Sequence, residues 1–302
     1  MAATAEQTAI VDSPTSRARF YDPENFFSFS LPPVPRRRFL DERDRALAES
    51  TPGGEIPLDA SDVLGTPYSA TTPLLLARYL RIRAGEQLNV ARRASAEIFY
   101  VLHGTGRTTG YGEEIPWSTD DAFCFPGGDE VSHRAATGTV LFSVCNEPLL
   151  RFESLEPPRA RHARVSPVLW SSDEMAGRLE TLLARPASDQ MSGRALQLAS
   201  AQMEPARHPV PSINVAMNTL EPGGNQRPHR HNGVAITLAI QGEGVYSMIE
   251  DERVEWSTGA AMVTPGAELH SHHNRGAQRM KSIVFQDEGL HFYTRTPGFS
   301  WD

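Results

Sequence analysis

Three histidines have the spacing in this chain that is most suggestive of chemistry. His229 and His231 are separated by one residue in the segment Pro-His-Arg-His, and His270 follows much later in the chain. Side chains two residues apart on a strand point to the same face, and a third histidine from a distant strand can close the group. Imidazole nitrogen binds iron, copper, zinc and nickel. The pattern therefore predicts a metal site formed by these three side chains.

The composition limits the classes of protein to which this chain can belong. Its 302 residues suit two domains, because domains commonly have about 100–150 residues. The 29 basic and 37 acidic residues give a net charge of −8. This balance argues against a nucleic-acid binder, which needs a basic face to displace counterions.

The sequence also favours a cytoplasmic protein that does not enter a membrane. No run approaches the roughly 18 apolar residues of a membrane span, and the first residues lack the apolar stretch of a secretion signal. The two cysteines, Cys124 and Cys145, lie in apolar runs and are too few for a disulfide network. We therefore predict buried, unpaired thiols.

Two stretches with β-strand patterns resemble each other. Residues 98–106 match residues 236–244, and both end in two glycines separated by one residue. Trp117 recurs as Trp256, each in the context Trp-Ser-Thr. A duplicated all-β unit predicts two similar barrels or sandwiches.

The segments are predicted to follow one another as an arm, a β domain, a linker and a second β domain. The arm covers residues 1–71 and contains a short helix, and the first β domain covers 72–150. The linker, 151–194, is rich in proline and contains a helix over 172–185, and the second β domain covers 195–302. The fold class is therefore all-β, with two tandem barrels and a few short helices.

The second β domain resembles the cupin superfamily, whose jelly-roll barrels carry two spaced motifs. The residues that match the two motifs are Gly223, His229, His231 and Gly242, followed by Gly259, Pro265, His270 and Asn274. The glutamate position of the first motif holds Ala235. The resemblance implies two tandem cupin domains in which the three histidines bind the metal.

The first β domain departs from this pattern. Aligned by the repeat, it has Ala91 and Arg93 at the positions of the paired histidines. Only Glu97 and His133 remain of four possible ligands, and His133 is displaced by two residues relative to His270. Since two ligands rarely hold a catalytic metal, we predict a metal-free scaffold.

Ala235 leaves the predicted metal without an anionic protein ligand. Three neutral imidazoles leave a divalent ion with its full double positive charge and about three open positions, by extension of the facial-triad arrangement. Such a centre favours an anionic, chelating substrate and leaves one position for dioxygen. A salicylate-like group with carboxylate and phenolate oxygens meets this requirement.

Around these motifs, from Leu220 to Asn274, the chain resembles gentisate 1,2-dioxygenase and its relatives, the salicylate and 1-hydroxy-2-naphthoate dioxygenases. Those enzymes are bicupins that bind Fe(II) through three histidines and cleave an aromatic ring beside its carboxylate. The resemblance implies an extradiol-type dioxygenase with Fe(II), an aromatic acid and dioxygen as partners, and a homo-oligomer. In that family the first cupin normally holds the iron, whereas here the histidines lie in the second.

Three further residues are candidates for catalysis. His272 matches the His-x-His spacing of the family's second motif and is predicted to hydrogen-bond near the metal. Gln241 and Arg279 lie on predicted strands of the same barrel. Arg279 is able to clamp a carboxylate with two hydrogen bonds, and a surface salt bridge is its competing role.

Other functions stay open at this point. A three-histidine dioxygenase of a β-diketone or a flavonol needs the same kind of metal site. A bicupin that binds a ligand without catalysis also fits, as does an isomerase or lyase that uses zinc, nickel or manganese as a Lewis acid.

Overall fold

The structure is a computed structural model that describes residues 13–159, 162–186 and 194–302. Residues 1–12 of the predicted arm, and 160–161 and 187–193 of the predicted linker, lie outside the described residues. Residues up to Pro32 form one unit, and those from Pro33 onward form another. The predicted domain boundaries at 71, 150 and 194 stay predictions.

Strands dominate the described residues. They are β1 (Gly54–Pro57), β2 (Leu76–Ile82), β3 (Gln87–Ala91), β4 (Ala96–His103), β5 (Thr105–Gly110), β6 (Glu113–Ser118), β7 (Ala122–Pro126), β8 (Glu130–Ala135), β9 (Thr139–Cys145), β10 (Val168–Trp170), β11 (Arg194–Leu198), β12 (Asn214–Leu220), β13 (His229–Arg230), β14 (Ala235–Gln241), β15 (Val245–Ile249), β16 (Glu252–Glu255), β17 (Ala261–Thr264), β18 (His270–Asn274), β19 (Met280–Gln286) and β20 (Ser300–Trp301). The all-β prediction is confirmed.

The helices are short. They are α1 (Pro14–Arg17), α2 (Leu40–Leu47), α3 (Ser61–Leu64), α4 (Glu147–Phe152), α5 (Ser172–Leu183) and α6 (Gly289–Thr294), with a 3-10 helix at Ala201–Ala206. Helix α5 begins after Ser171, whose side chain accepts a hydrogen bond from the Glu174 N–H, and it ends two residues before the predicted position 185. No helix among the described residues is long and apolar enough to cross a membrane.

Each repeat forms a two-sheet barrel in which every strand pairing is antiparallel. In the first barrel the sheets have the orders β1-β2-β9-β4-β7-β10 and β3-β8-β5-β6. In the second barrel they have the orders β11-β12-β19-β14-β17 and β16-β15-β18-β13-β20. The order β2-β9-β4-β7 thus recurs as β12-β19-β14-β17, and β3-β8-β5-β6 recurs as β13-β18-β15-β16. The predicted duplication is therefore present strand by strand.

The two barrels differ in what fills their interiors. In the first barrel Phe99 lies opposite Phe123 on β4 and β7, and their rings stack at 4.8 Å. The equivalent register positions in the second barrel hold Thr237 and Met262. The smaller side chain of Thr237 leaves space that the first barrel does not have.

The barrels share a hydrophobic core between the sheet that contains β9 and the sheet that contains β19. The rings of Phe142 on β9 and Phe285 on β19 lie 5.7 Å apart, and both are fully buried. Tyr79 of the first barrel also donates a hydrogen bond to the Gly259 carbonyl of the second, at 2.7 Å. Cys124 and Cys145 are buried and free, as predicted.

The described part of the first unit, residues 13–32, carries many exposed apolar side chains. Helix α1 begins with a capping box between Ser13 and Ser16. The most exposed large side chains are Phe20, Tyr21, Phe26, Phe27, Phe29 and Leu31. An exposed apolar segment of this kind is typical of a surface that contacts another chain.

Candidate metal centre

The three histidines come together where β13 pairs with β18. His229 on β13 pairs in register with His270, the first residue of β18. His231 lies two residues after His229 and therefore faces the same side. One ring nitrogen from each of the three lies within 4.8 Å of the others, and all three residues are buried. The predicted ligand group is thus present in the folded chain.

Backbone carbonyl groups fix how each imidazole is presented. The Nδ1 atoms of His229, His231 and His270 lie 3.0, 2.8 and 2.9 Å from the carbonyl oxygens of Arg227, Gly233 and Glu268. A carbonyl oxygen can only accept, so each Nδ1 carries the proton and each Nε2 keeps its lone pair. Three Nε2 lone pairs that face one another are the donor set that a divalent transition metal needs.

Burial keeps these imidazoles neutral. It lowers the pKa of His231 to about 4, with a further contribution from the neighbouring His229. Burial and the adjacent histidines lower the pKa of His270 to about 2. Burial also lowers the pKa of His229. Because a metal binds only the neutral ring, the donor set fits a bound cation.

A cavity of about 220 Å³ opens in front of the three histidines. Its apolar walls include Val284, Phe292 and Phe299. Phe299 also lies against His229, with ring centroids 5.4 Å apart. The segment that follows α6 therefore contributes directly to the wall, and β20 is held to β13 by pairing of Trp301 with His229.

Ala235 lines this cavity and pairs with Gln286 across the sheet. The methyl group occupies the position where the cupin motif usually has a carboxylate. The Gln286 side chain instead reaches the site, and its Nε2 lies 3.1 Å from Nε2 of His231. At this position the chain thus offers an amide beside His231, where the usual motif offers a carboxylate as a fourth ligand.

His272 lies in the cavity wall and is oriented by two neighbours. Its Nδ1 lies 2.8 Å from the Ser247 hydroxyl, and the Trp256 indole N–H donates to the same hydroxyl at 2.8 Å. The His272 ring also packs edge-on against Trp256 at 5.2 Å. Burial lowers its pKa to about 3, so the ring is neutral.

The first barrel repeats this arrangement. His133 lies 2.7 Å from the Thr108 hydroxyl, which accepts a hydrogen bond from the Trp117 indole at 2.8 Å. His133 is therefore the counterpart of His272, which explains its displacement by two residues. Val131 then corresponds to His270, and its strand partner Val90 corresponds to His229.

This register corrects the alignment of the first barrel by one residue. The positions of the paired histidines are Val90 and Arg92, not Ala91 and Arg93. Arg92 takes the place of His231, and its Nε donates to Glu97 at 2.7 Å. Glu97 corresponds by register to Ala235 and is only 2% exposed. A buried guanidinium–carboxylate pair therefore lies where the second barrel has its metal site.

Comparisons with known proteins agree with this geometry. Residues 216–285 match the family described as Cupin domain. Salicylate 1,2-dioxygenase from Pseudaminobacter salicylatoxidans superposes with a TM-score of 0.73 over 91% of both chains, at 14% identity. Its adducts with gentisate superpose with a TM-score of 0.74 over 92% of this chain and 88% of that chain, at 12% identity. This chain has the bicupin fold.

One known enzyme is similar to this chain in amino-acid sequence. Gentisate 1,2-dioxygenase from Ralstonia sp is 25% identical over 142 residues. The alignment covers 47% of this chain and 35% of the Ralstonia enzyme. The bicupin therefore matches only about a third of that relative's length, and its activity and substrate are matters for proposal.

Two of the predicted catalytic residues lie outside the cavity lining. Gln241 donates to Gln278 at 2.6 Å in a partly exposed position. Arg279 forms ion pairs with Glu180 and Glu221 at 2.7 and 2.8 Å. The competing role for Arg279, a surface salt bridge, is the one that these contacts support. Gln241 and Arg279 therefore lie outside the proposed site.

Several cavity residues were not identified from the sequence. They are the amides Gln197, Asn214, Asn218, Gln226 and Gln286, together with Glu288. Asn214 and Asn218 share one face of β12, so two carboxamides at even spacing on a strand were the available signal. Burial raises the pKa of Glu288 to about 7, against the hydrogen bond from Asn214 that lowers it.

Proposed function

We propose that the bicupin is an Fe(II)-dependent, extradiol-type dioxygenase that cleaves the ring of a hydroxylated aromatic carboxylic acid of the gentisate or salicylate type. The acid binds as a bidentate chelate through its carboxylate and neighbouring hydroxyl oxygens. The observation that carries the proposal is the group of three neutral imidazoles without a carboxylate at position 235. Bound iron would supply the Lewis acidity that holds the chelating acid and the redox chemistry with dioxygen.

The chain's own residues hold the ion and orient the acid. His229, His231 and His270 present their Nε2 atoms, and the carbonyl contacts at Nδ1 keep each ring in place. Phe292 and Phe299 offer apolar surface to an aromatic ring and keep water away from it. His272 has its Nδ1 engaged by a hydroxyl, so Nε2 is the ring atom left to hydrogen-bond the ligand.

The size of the cavity supports a small acid over a flavonol. A volume of about 220 Å³ is below the roughly 300–1,000 Å³ typical of pockets for drug-sized ligands. A single aromatic ring with two chelating oxygens is compact, whereas a flavonol carries three rings. A small β-diketone fits the volume and is therefore included in the test.

The test is oxygen uptake by protein loaded anaerobically with Fe(II). Salicylate, gentisate, 1-hydroxy-2-naphthoate, a β-diketone and a flavonol are offered in turn, with the His270→Ala variant as control. The proposal predicts that an aromatic acid is consumed together with one dioxygen, and that the variant takes up none. No uptake with any aromatic acid at full iron loading would overturn it, and turnover without oxygen would instead indicate an isomerase or lyase.

We further propose that the enzyme is a cytoplasmic homo-oligomer. The two buried, free thiols suit a reducing compartment. The exposed aromatic side chains within residues 20–31 suit a contact with a second copy. Light scattering of the full chain and of a chain lacking residues 1–32 tests the proposed oligomer. The shorter chain is expected to form an assembly of fewer subunits.

A further inference from the structure

The cavity beside the three histidines has no lysine or arginine in its described lining. Its charged or ionisable groups are the histidines and the Glu288 carboxyl. Arginine is the usual partner of a bound carboxylate because its planar fork matches the two oxygens. Here the hydrogen-bonding groups available to an anion are carboxamides, the hydroxyls of Thr237 and Thr264 and the His272 ring. A carboxamide presents either a donor or an acceptor, so its orientation decides whether it can bind an anion.

A backbone carbonyl fixes the first amide of a chain of hydrogen bonds. Gln197 Nε2 donates to the Arg207 carbonyl oxygen at 2.6 Å. That oxygen can only accept, so the nitrogen of Gln197 must face it. The same Nε2 donates to Asn214 Oδ1 at 2.8 Å. The oxygen side of Asn214 therefore faces Gln197.

The direction passes from Asn214 to Gln286. With its oxygen engaged, Asn214 turns Nδ2 towards Gln286 and donates to Oε1 at 3.1 Å. The same Nδ2 lies 3.5 Å from a carboxylate oxygen of Glu288, which also favours this orientation. Gln286 then has its oxygen engaged, and its Nε2 points to His231 Nε2 at 3.1 Å. The amide relay Gln197–Asn214–Gln286 thus ends with N–H groups aimed at the metal position.

We propose that Gln286 donates a hydrogen bond to an anionic oxygen of the ligand bound beside the three histidines, and that the cavity selects chelating acids with a single carboxylate. The inference rests on the proposed function, whose substrate class it narrows. A cation on His231 takes the lone pair that Gln286 contacts, so the amide N–H groups then need another acceptor. An oxygen of the chelating acid provides one.

A second carboxylate on the ligand would find no counter-charge in the described lining. It would face amides and the Glu288 carboxyl, and a buried anion without a paired cation is costly. The metal and Gln286 can satisfy one carboxylate with its neighbouring hydroxyl oxygen. The structure therefore favours an acid whose remaining substituents are uncharged.

The test measures ligand binding to protein loaded with Zn(II) or Co(II), so that no turnover is involved. Metal affinity is determined for each variant, and ligands are titrated at full metal occupancy by calorimetry and by the Co(II) absorption band. Gln286→Leu is expected to bind salicylate about 10- to 100-fold more weakly, because a hydrogen bond to a charged group is lost.

Asn214→Asp tests the direction of the relay. An ionised aspartate there can only accept, so Gln286 must turn its N–H groups towards position 214 and present its oxygen to the ligand. Asn218→Asp is the matched control, since it adds the same charge on the same cavity-facing side of β12. Asn214→Asp is expected to weaken salicylate binding at least about tenfold more than the control does.

The single-carboxylate preference is tested with two ligands of the same shape. Wild-type protein is expected to bind 5-carbamoylsalicylate about 10-fold or more tightly than 5-carboxysalicylate, which differs by one negative charge. Equal binding of the two ligands, unchanged binding by Gln286→Leu, or equal losses in the two aspartate variants would each overturn the inference.

These outcomes are separable from those of the oxygen-uptake experiment. If the iron-loaded protein consumes an aromatic acid while Gln286→Leu binds it normally, the dioxygenase stands and the inference fails. If the binding effects appear without oxygen uptake, the assignment of Gln286 stands and the dioxygenase fails. Absence of salicylate binding to fully metal-loaded wild-type protein overturns both.

Discussion

Replacing His270 by alanine is expected to weaken metal binding about 100-fold, whereas replacing His273 is expected to change it by less than about threefold. Both residues lie on β18. His270 presents Nε2 to the other two ligands, whereas the His273 ring stacks on Tyr246 and contacts Asn225. The pair therefore separates loss of a ligand from loss of a histidine.

The magnitude follows from the number of ligands. Four-ligand zinc sites gain about 10–16 kcal/mol on binding, or roughly 3 kcal/mol per ligand, which is about a hundredfold in affinity. At about 100 times the wild-type Kd, bound metal stabilises the folded state by about 2.7 kcal/mol, while a variant with a 100-fold higher Kd gains about 0.4 kcal/mol. For 302 residues these gains raise the Tm by about 4 °C and about 0.6 °C.

The measurements are competition for Zn(II) and Co(II) with a chromophoric chelator, and calorimetric scans with and without metal. The same scans of metal-free protein show whether either substitution changes the stability of the fold itself. A His270→Ala protein that binds metal within about threefold of wild type would refute the assignment of this ligand. A loss of the same size in His273→Ala would refute the reasoning that separates the two faces of β18.

Two further predictions concern buried carboxyl groups. Glu97→Gln is expected to lower the free energy of unfolding by about 2 kcal/mol, because it removes the anion 2.7 Å from the buried Arg92 guanidinium and leaves Glu55, at 2.9 Å, as the remaining carboxylate partner. The double variant Glu97→Leu/Arg92→Met is expected to recover most of this loss in urea unfolding, and equal losses in both variants would contradict the pairing. Burial raises the pKa of Asp287 to about 7, so the folded protein keeps a proton on this carboxyl that the unfolded chain loses near pH 4. The free energy of unfolding therefore falls as the pH rises from about 4 through about 7. Asp287→Asn retains the acceptor for the Val234 N–H. Relative to the exposed control Asp251→Asn, it is expected to raise the free energy of unfolding by up to about 4 kcal/mol at pH 8 and by almost nothing at pH 4. A rise that does not depend on pH would count against this origin.

The features that were predictable from the sequence depend on local periodicity. Alternation of apolar residues identified the strands, and the repeat of residues 98–106 in 236–244 identified the doubled barrel. His229 and His231 share a face because side chains on extended backbone alternate, and this holds whatever the rest of the fold does. The prediction that His270 joins His229 and His231 followed from the spacing of the two motifs.

The features that were missed depend on pairing between distant strands. Counting from Gly85 and Gly223 aligned Ala91 with His229. The hydrogen-bond register instead makes Val90 the equivalent of His229, because the loops between equivalent strands differ by one residue. Gln286 comes to the site because it pairs with Ala235 across β14 and β19. Nothing in the local sequence of Gln286 predicts that neighbour.

The two barrels show why a metal site and its ligand belong together in the second. Both keep the tryptophan–hydroxyl–histidine arrangement, so their walls are built alike. The first barrel supplies its own cation and anion as Arg92 and Glu97 and fills the remaining space with aromatic rings such as Phe99. The second replaces Glu97 by Ala235 and Phe99 by Thr237, which removes the built-in anion and opens the space. A cation held there by neutral imidazoles therefore favours an anionic molecule small enough to enter the cavity.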